Sequence, residues 1–223
     1  MAINQALDRT ALTAAQAQIA RVESQGCLDH PHRLSLLVAS GPSTNRDLSD
    51  AVHLYCQLYG RYPGLIEIAL NSCPAGPVRD WLREASDAYE RERLYLVRLT
   101  AAVGPLPSTP GAAETESTLV AQRHAIETLA NSERRGCALG AATALMGDWP
   151  AIRAVLDRAA DRIGMQKPAM TLPSEESILR VIGNGTDGMA SERALGFGGE
   201  QLLLQNRGLF DLLEARAGAR DRY

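Results

Sequence analysis

The apolar positions of this chain recur at a helical spacing over most of its length. Apolar residues three or four positions apart lie along one face of an α-helix. Such stripes run through residues 11–24, 45–73, 77–103, 118–146 and 150–163. The apolar run LSLLVA at residues 34–39 could be a strand or a buried helical turn. Because no other segment offers it a partner strand, we assign it as helical or irregular. The pattern predicts an all-α protein.

Glycine and proline mark the ends of these segments. Pro63–Gly64 interrupts the stripe of residues 45–73, so a kink or a break is expected at Tyr62. The longest proline-rich connector is Gly104–Gly111. Fully extended, it spans up to roughly 25 Å. It could therefore be a crossover between two parallel helices, as in ferritin-like folds, or a hairpin.

These boundaries predict one helical domain over residues 1–223. Its centre is a four-helix bundle at residues 45–164, for which a ferritin-like arrangement is one option. An N-terminal helix and joint at residues 1–33 and C-terminal helices at residues 174–217 are added to it. The low aromatic content, 4%, also favours helices over a β-sandwich or barrel.

The segment Thr118–Met146 contains no proline and is predicted to form one helix. Glu133 falls within its inward apolar stripe, where a core residue is expected. The run Gly136–Ala144 consists almost entirely of small residues. Because a glycine inside a helix costs about 1 kcal/mol relative to alanine, the run indicates close approach of another helix, or alternatively of a ligand.

A second carboxylate, Glu92, falls on the inward stripe of its own predicted helix, residues 77–103. A buried, unpaired carboxylate costs several kcal/mol, so each must find a cation or hydrogen-bond donors. Inward-facing tyrosines are candidate donors. The sequence thus predicts a polar interior, serving structure or holding a small ligand, formed by Glu92, Glu133, Tyr55, Tyr59, Tyr62 and Tyr89.

A metal centre is the alternative use of this interior. Asp50 and His53 lie one turn apart on one predicted helix, and His124 and Glu127 on another. Di-iron carboxylate proteins use Glu-x-x-His pairs, a motif that this sequence lacks. Both histidines also project away from the inward stripes. Iron or manganese is therefore the alternative, and no cofactor is the favoured expectation.

The sequence motifs of other well-known activities are absent or lack the structural context that they need. Gly183–Gly188 has the letters of a dinucleotide-binding turn, but without strands around it we predict a glycine-rich turn between helices. No nucleophile elbow or Walker loop is visible, which favours a non-catalytic protein. The cysteines are widely spaced and predict reduced, mostly packed thiols at Cys27, Cys56, Cys73 and Cys137.

Charge and hydropathy narrow the range of partners. The net charge of −3 offers no basic field, so nucleic acid is not expected as a partner. No run of 18 apolar residues is present, so a membrane span is not expected. The first residues lack the pattern of a signal peptide, and we expect a cytoplasmic location.

Three sequence segments resemble those of known proteins: GRYPG, GPLPSTPG and AQRHAIETLANSERRGCALGAA. From about Asp47 onward, the chain resembles a group of functionally uncharacterised, all-helical bacterial proteins of similar length. That resemblance implies a helical fold and no particular chemistry. The region 45–164 is also similar in architecture to ferritin-like bundles.

Two hypotheses follow. The favoured one is a non-catalytic helical protein that binds a small ligand or a protein partner, with a homo-oligomer as one form of partner. The alternative is a degenerate, ferritin-like, metal-dependent oxidoreductase. An inference of function from ferritin-like architecture alone would be analogy.

Overall fold

Nine α-helices make up most of the chain that the computed structural model describes, which is residues 2–222 for the backbone and 14–222 for side chains. The helices are α1 (Ala2–Gln25), α2 (Pro31–Val38), α3 (Pro42–Tyr59), α4 (Leu65–Ser72), α5 (Pro77–Ala102), α6 (Ala112–Ala130), α7 (Cys137–Ile163), α8 (Glu175–Gly185) and α9 (Met189–Arg220). No strand occurs within this range. The prediction of an all-α protein is confirmed.

Proline and glycine set several of the helix starts. Helices α2, α3 and α5 each have proline in the first turn, where the missing N–H has no intrahelical partner. The predicted interruption near Tyr62 is a full break, because α3 ends at Tyr59 and α4 begins at Leu65. The run at residues 34–39 is helical for most of its length, within α2. Gly183–Gly188 contains the end of α8 and the turn into α9, as predicted.

Helix α7 is the centre of the packing and contacts all eight other helices. Its inward residues include Trp149, Ile152 and Val155, all fully buried. Buried apolar residues from all nine helices form one cluster around it. None of the helices, over the part of the chain described, is long and apolar enough to cross a membrane.

The small-residue run permits a very close crossing of α7 and α9. A Cβ atom placed on Gly140 would lie 2.0 Å from the carbonyl oxygen of Leu195, and one on Gly198 would lie 2.0 Å from that of Cys137. Side chains have no room at either position, so the two backbones are in direct contact. The small residues therefore serve helix packing, the first of the two predicted uses.

The prediction of one helix over Thr118–Met146 is wrong. Helix α6 ends at Ala130 and α7 begins at Cys137, so Glu133 lies in the connection and is exposed. Gly136 at the start of α7 has φ +96°, a left-handed conformation that favours glycine and ends the helical path. The apolar period continues across the break only by coincidence of phase, so Glu133 is not a core residue.

The connector Gly104–Gly111 crosses one end of the molecule. Within the described residues, α5 and α6 do not contact each other. Ser49 Oγ and His53 Nε2, both on α3, donate to the carbonyl oxygens of Val103 and Gly104 at 3.4 and 2.8 Å. Helix α5 begins and α6 ends at one shared cavity, so these two helices run in opposite directions. The connector therefore does not join two parallel helices.

Candidate functional site

A cavity of about 490 Å³ lies where three connections meet. It is bounded by the α4–α5 connection, the α6–α7 connection and the C-terminal end of α8. Its lining consists of Ala69, Ser72, Cys73, Pro74, Ala75, Gly76, Pro77, Val78, Leu82, Ala130, Asn131, Ser132, Glu133, Arg134, Arg135, Gly136, Ala138, Leu139, Asn184, Gly185 and Asp187. The volume is in the range of small-molecule binding sites.

The inner wall of the cavity is apolar. Leu82 and Leu139 are buried core residues, and Val78 is half-buried against them. Gly185, the last residue of α8, approaches this wall so closely that a Cβ atom there would lie 2.5 Å from Leu139 Cδ2. The absence of a side chain at this position allows the end of α8 to pack directly against the wall.

The rim of the cavity is polar and carries both signs of charge. Arg135 and Asp187 form an ion pair across it at 2.5 Å, with both side chains mostly exposed. Glu133 and Arg134 are exposed as well, and the described residues give neither an ion-pair partner. The rim therefore offers one carboxylate and one guanidinium to a bound molecule.

Two long helices begin at the cavity. The residue before α5 is Gly76 and the residue before α7 is Gly136, and neither helix start has a side-chain cap. Uncapped first-turn N–H groups and the helix dipole leave a partial positive charge at such an end. Both starts therefore add weak donor character to the polar rim.

The surroundings of Cys73 favour the protonated thiol over the thiolate. Burial raises the pKa of Cys73, and the nearby Arg79 guanidinium opposes that effect only in part. Arg79 Nη1 donates to the carbonyl oxygens of Leu70 and Cys73 at 2.9 and 2.5 Å, so it fixes the end of α4. Because the thiolate is the reactive form, this cysteine is poorly suited to nucleophilic chemistry.

Glu92 is buried, as its position on the inward stripe predicts, with a relative exposure of 1%. Its carboxylate accepts a hydrogen bond from Trp149 Nε1 at 2.8 Å and two from Arg153 Nη1 at 2.8 and 2.7 Å. Arg153 also contacts the Asp157 carboxylate at 2.7 Å. The carboxylate is fully paired within the protein, so its role in this structure is to hold α5 against α7.

The four predicted tyrosines divide into three groups. Tyr59 is buried and its hydroxyl donates to Asn206 Oδ1. Tyr55 and Tyr89 are buried, and their hydroxyls have no hydrogen-bond partner among the described residues. Desolvation raises the pKa of all three phenols well above the usual value.

The prediction that Tyr62 faces the interior is wrong. Tyr62 is 75% exposed, because the break between α3 and α4 turns it away from the core. Its ring lies 5.4 Å from the guanidinium carbon of Arg93. The six residues of the predicted interior therefore do not form one site. Glu92 lies in a buried network whose hydrogen bonds are made, three of the tyrosines are buried outside that network, Tyr62 is exposed, and Glu133 lies on the rim of the cavity.

The four candidate metal ligands occupy three different environments. Asp50 is fully buried and paired with Arg216 and Arg220 at 2.7 and 2.6 Å. His53 is hydrogen-bonded to the connector, and His124 and Glu127 are exposed on α6. In the part of the chain described, no three metal-ligating side chains form a group that could hold an ion. The positions of these residues therefore lend the oxidoreductase hypothesis no support.

Several buried charges escaped the sequence analysis. Their signal was partly present: Asp148 follows Ala144 by one turn, on the inward face of α7. Its Oδ1 accepts from the Cys27 backbone N–H at 2.7 Å, and its Oδ2 accepts from Asn206 at 2.8 Å. Glu67 on α4 pairs with Arg93 on α5 at 2.8 Å, and both are buried. Such pairings depend on how helices are arranged, which periodicity does not give.

The fold and the site define a class: an all-α protein with a small-molecule-sized cavity between its helix connections. Within that class, residues 22–221 match the model of a family described as a family of unknown function, DUF6975. The chain belongs to this family, in agreement with the resemblance to functionally uncharacterised helical proteins. No curated protein and no solved structure matches the chain.

Proposed function

We propose that this protein is a non-catalytic binder of a small organic molecule, held in the cavity of about 490 Å³. The cavity is the single observation that carries the proposal. It combines an apolar inner wall with a few polar groups at the entrance, the usual composition of a ligand site. The network around Glu92 is a poorer candidate, because its hydrogen bonds are already made.

The ligand that fits best is amphipathic. Val78, Leu82 and Leu139 offer a surface for an apolar body. Glu133 and Arg134 at the rim, neither paired to another described residue, offer hydrogen bonds and charge to a polar head. Burying the apolar body supplies the affinity, while the exposed rim charges select the head group and contribute less.

The residues around the cavity favour binding over catalysis. Among the described residues that line it there is no histidine, and Cys73 is held as the thiol. Glu133 is exposed, without the burial that would tune a general base. As a framework for the site, we propose α3, α5, α6 and α7, within the bundle predicted at residues 45–164.

The first test fills the cavity. Ala138 lies on the second residue of α7 and lines the cavity, so Ala138→Phe places a ring in the space a ligand would occupy. Ala113 holds the same position in α6 and does not line the cavity, which makes Ala113→Phe the matched control. The probe is the dye 1-anilinonaphthalene-8-sulfonate, with binding followed by fluorescence titration.

We expect Ala138→Phe to weaken dye binding at least about tenfold, because the apolar contacts of the dye are lost, and Ala113→Phe to leave it unchanged. Circular dichroism and thermal unfolding show whether both variants remain folded. Equal binding by the two folded variants, or no saturable binding by the wild type, would overturn the proposal.

The second test distinguishes binding of the apolar body of the ligand from binding of its charged head group. N-phenyl-1-naphthylamine has a similar aromatic body but no charge. Removing the rim guanidinium with Arg134→Ala should weaken the sulfonated dye several-fold, by about the energy of an exposed ion pair, and leave the neutral dye unaffected. The same change in both dyes would contradict the assignment of Arg134 to the head group.

A further inference from the structure

The outward face of α9 carries large apolar side chains that the core does not use. Met189, Phe197 and Leu204 are 69%, 45% and 53% exposed. Arg193 and Glu200 are exposed between them. Intervals of three and four residues place all five along one side of the helix. We call these five residues the α9 stripe.

The α9 stripe is nearly symmetric about its midpoint. An apolar residue on one side matches an apolar residue on the other, and the cation on one side matches the anion on the other. Its midpoint lies between Gly196 and Phe197. Met189 and Leu204 are equally far from that midpoint, and so are Arg193 and Glu200. In an antiparallel pair of such helices, each Met189 lies opposite Leu204 of the other copy, and each Arg193 lies opposite Glu200.

Both charges are available for such pairing. No ion pair within the described residues involves Arg193 or Glu200, whereas most charges near the core are paired. A face that alternates exposed apolar residues with a cation and an anion that no other described residue pairs is complementary to its own reversed copy.

The midpoint of the stripe offers a place for an aromatic ring. Gly196 is half-buried and presents no side chain, and Arg21 of α1 lies beside it, with Nη2 3.1 Å from where a Cβ atom would be. In the antiparallel arrangement, Phe197 of the second copy lies opposite Gly196. The ring then stacks on the Arg21 guanidinium, which lies over the glycine and is a favourable neighbour for an aromatic face.

We infer that the α9 stripe is a docking surface for a second copy of this chain, which forms a symmetric dimer with antiparallel α9 helices. From Met189 to Leu204 the stripe is roughly 23 Å long at 1.5 Å per residue. One helix face of this length buries less than the area typical of stable complexes. We therefore expect a weak, reversible dimer.

Charge reversal gives this arrangement a distinctive test. Arg193→Glu makes both contacts with Glu200 of the other copy repulsive, and Glu200→Arg does the same with the opposite sign. We expect each variant alone to associate at least about tenfold more weakly than the wild type. An equimolar mixture of the two regains association, because every contact in the mixed dimer is again attractive, and the double variant regains it with itself.

Sedimentation velocity over a concentration series of the full chain measures these associations. Arg98→Glu reverses an exposed charge on α5, away from the stripe, and should leave association unchanged. Circular dichroism checks that each variant is folded. A wild type that stays monomeric throughout, single reversals that associate normally, or a mixture that fails to regain association would each overturn the inference. If the wild type dimerises, either of the last two results would show that the dimer forms through another surface.

Discussion

The two ends of helix α6 lie in regions that differ in whether their charged side chains are buried and paired. At its start is the connector end, formed by Asp50, Arg216, Arg220, Thr109 and Thr115. At its finish is the cavity end, with Glu133 and Arg134 on the rim. Both regions join helix ends, and both contain acids and arginines. Only the connector end buries and pairs them.

The connector end is a closed network. Asp50 accepts hydrogen bonds from both arginines, and Thr109 Oγ1 accepts from Arg216 Nη2 at 3.1 Å and from Arg220 Nη1 at 2.8 Å. These bonds join α3, the connector and α9. At the cavity end, Glu133 and Arg134 remain exposed beside an open volume. The comparison indicates that the connector end serves cohesion and the cavity end is available for a ligand.

The largest expected effect comes from removing one carboxylate at each end. Asp50→Ala leaves two buried guanidiniums without their main partner and should lower the free energy of unfolding by about 3–5 kcal/mol. Glu133→Ala removes an exposed carboxylate that no described residue pairs, and should change the free energy of unfolding by no more than about 0.5 kcal/mol. Urea unfolding followed by circular dichroism measures both. Similar losses for the two variants would contradict the division into a closed and an open end.

The sequence correctly predicts that Glu92 is buried, but it wrongly predicts that Glu133, at the cavity end, is buried too. The predicted burial of Glu92 agrees with the structure because α5 runs unbroken from Pro77 to Ala102, so its helical phase is constant. The prediction of an inward Glu133 is wrong because the connection between α6 and α7 resets the helical phase. A stripe that continues across such a connection carries no information about which side faces the core.

Partners and cavities are harder still to predict. The burial of Glu92 follows from its own helix, but its pairing with Arg153 depends on the packing of α5 against α7. The cavity is bounded by three connections that are distant in the chain. Periodicity describes faces of helices and not the relative positions of their ends, so the site itself could not be derived from it.

The second prediction tests how far the open region extends. Gly140 lies one turn from Gly136 of the cavity lining, yet its backbone is in contact with that of Leu195. Gly140→Ala forces α7 and α9 apart and should lower the free energy of unfolding by about 1–3 kcal/mol, the usual cost of overpacking. Gly183→Ala is the control, because no atom lies within 4 Å of the added Cβ. Chemical unfolding compares the two variants.

A Gly140→Ala protein as stable as its control would mean that the space at the cavity end continues between α7 and α9. The boundary between closed and open regions would then lie deeper in the molecule. A clear loss of stability with normal dye binding would confine the open region to the rim and its apolar wall.

The smallest expected effect concerns the ion pair on the rim itself. Arg135 and Asp187 lie 2.5 Å apart but are 78% and 56% exposed, so solvent and salt screen their attraction. A double-mutant cycle with Arg135→Ala and Asp187→Ala should give a coupling free energy below about 1 kcal/mol, reduced further at high salt. The buried Asp50–Arg216 pair, measured by the same cycle, should couple more strongly, because both side chains are removed from solvent. If the rim pair couples as strongly as the buried pair, the cavity entrance is held shut by it, and the cavity end is a closed region like its counterpart at the other end of α6.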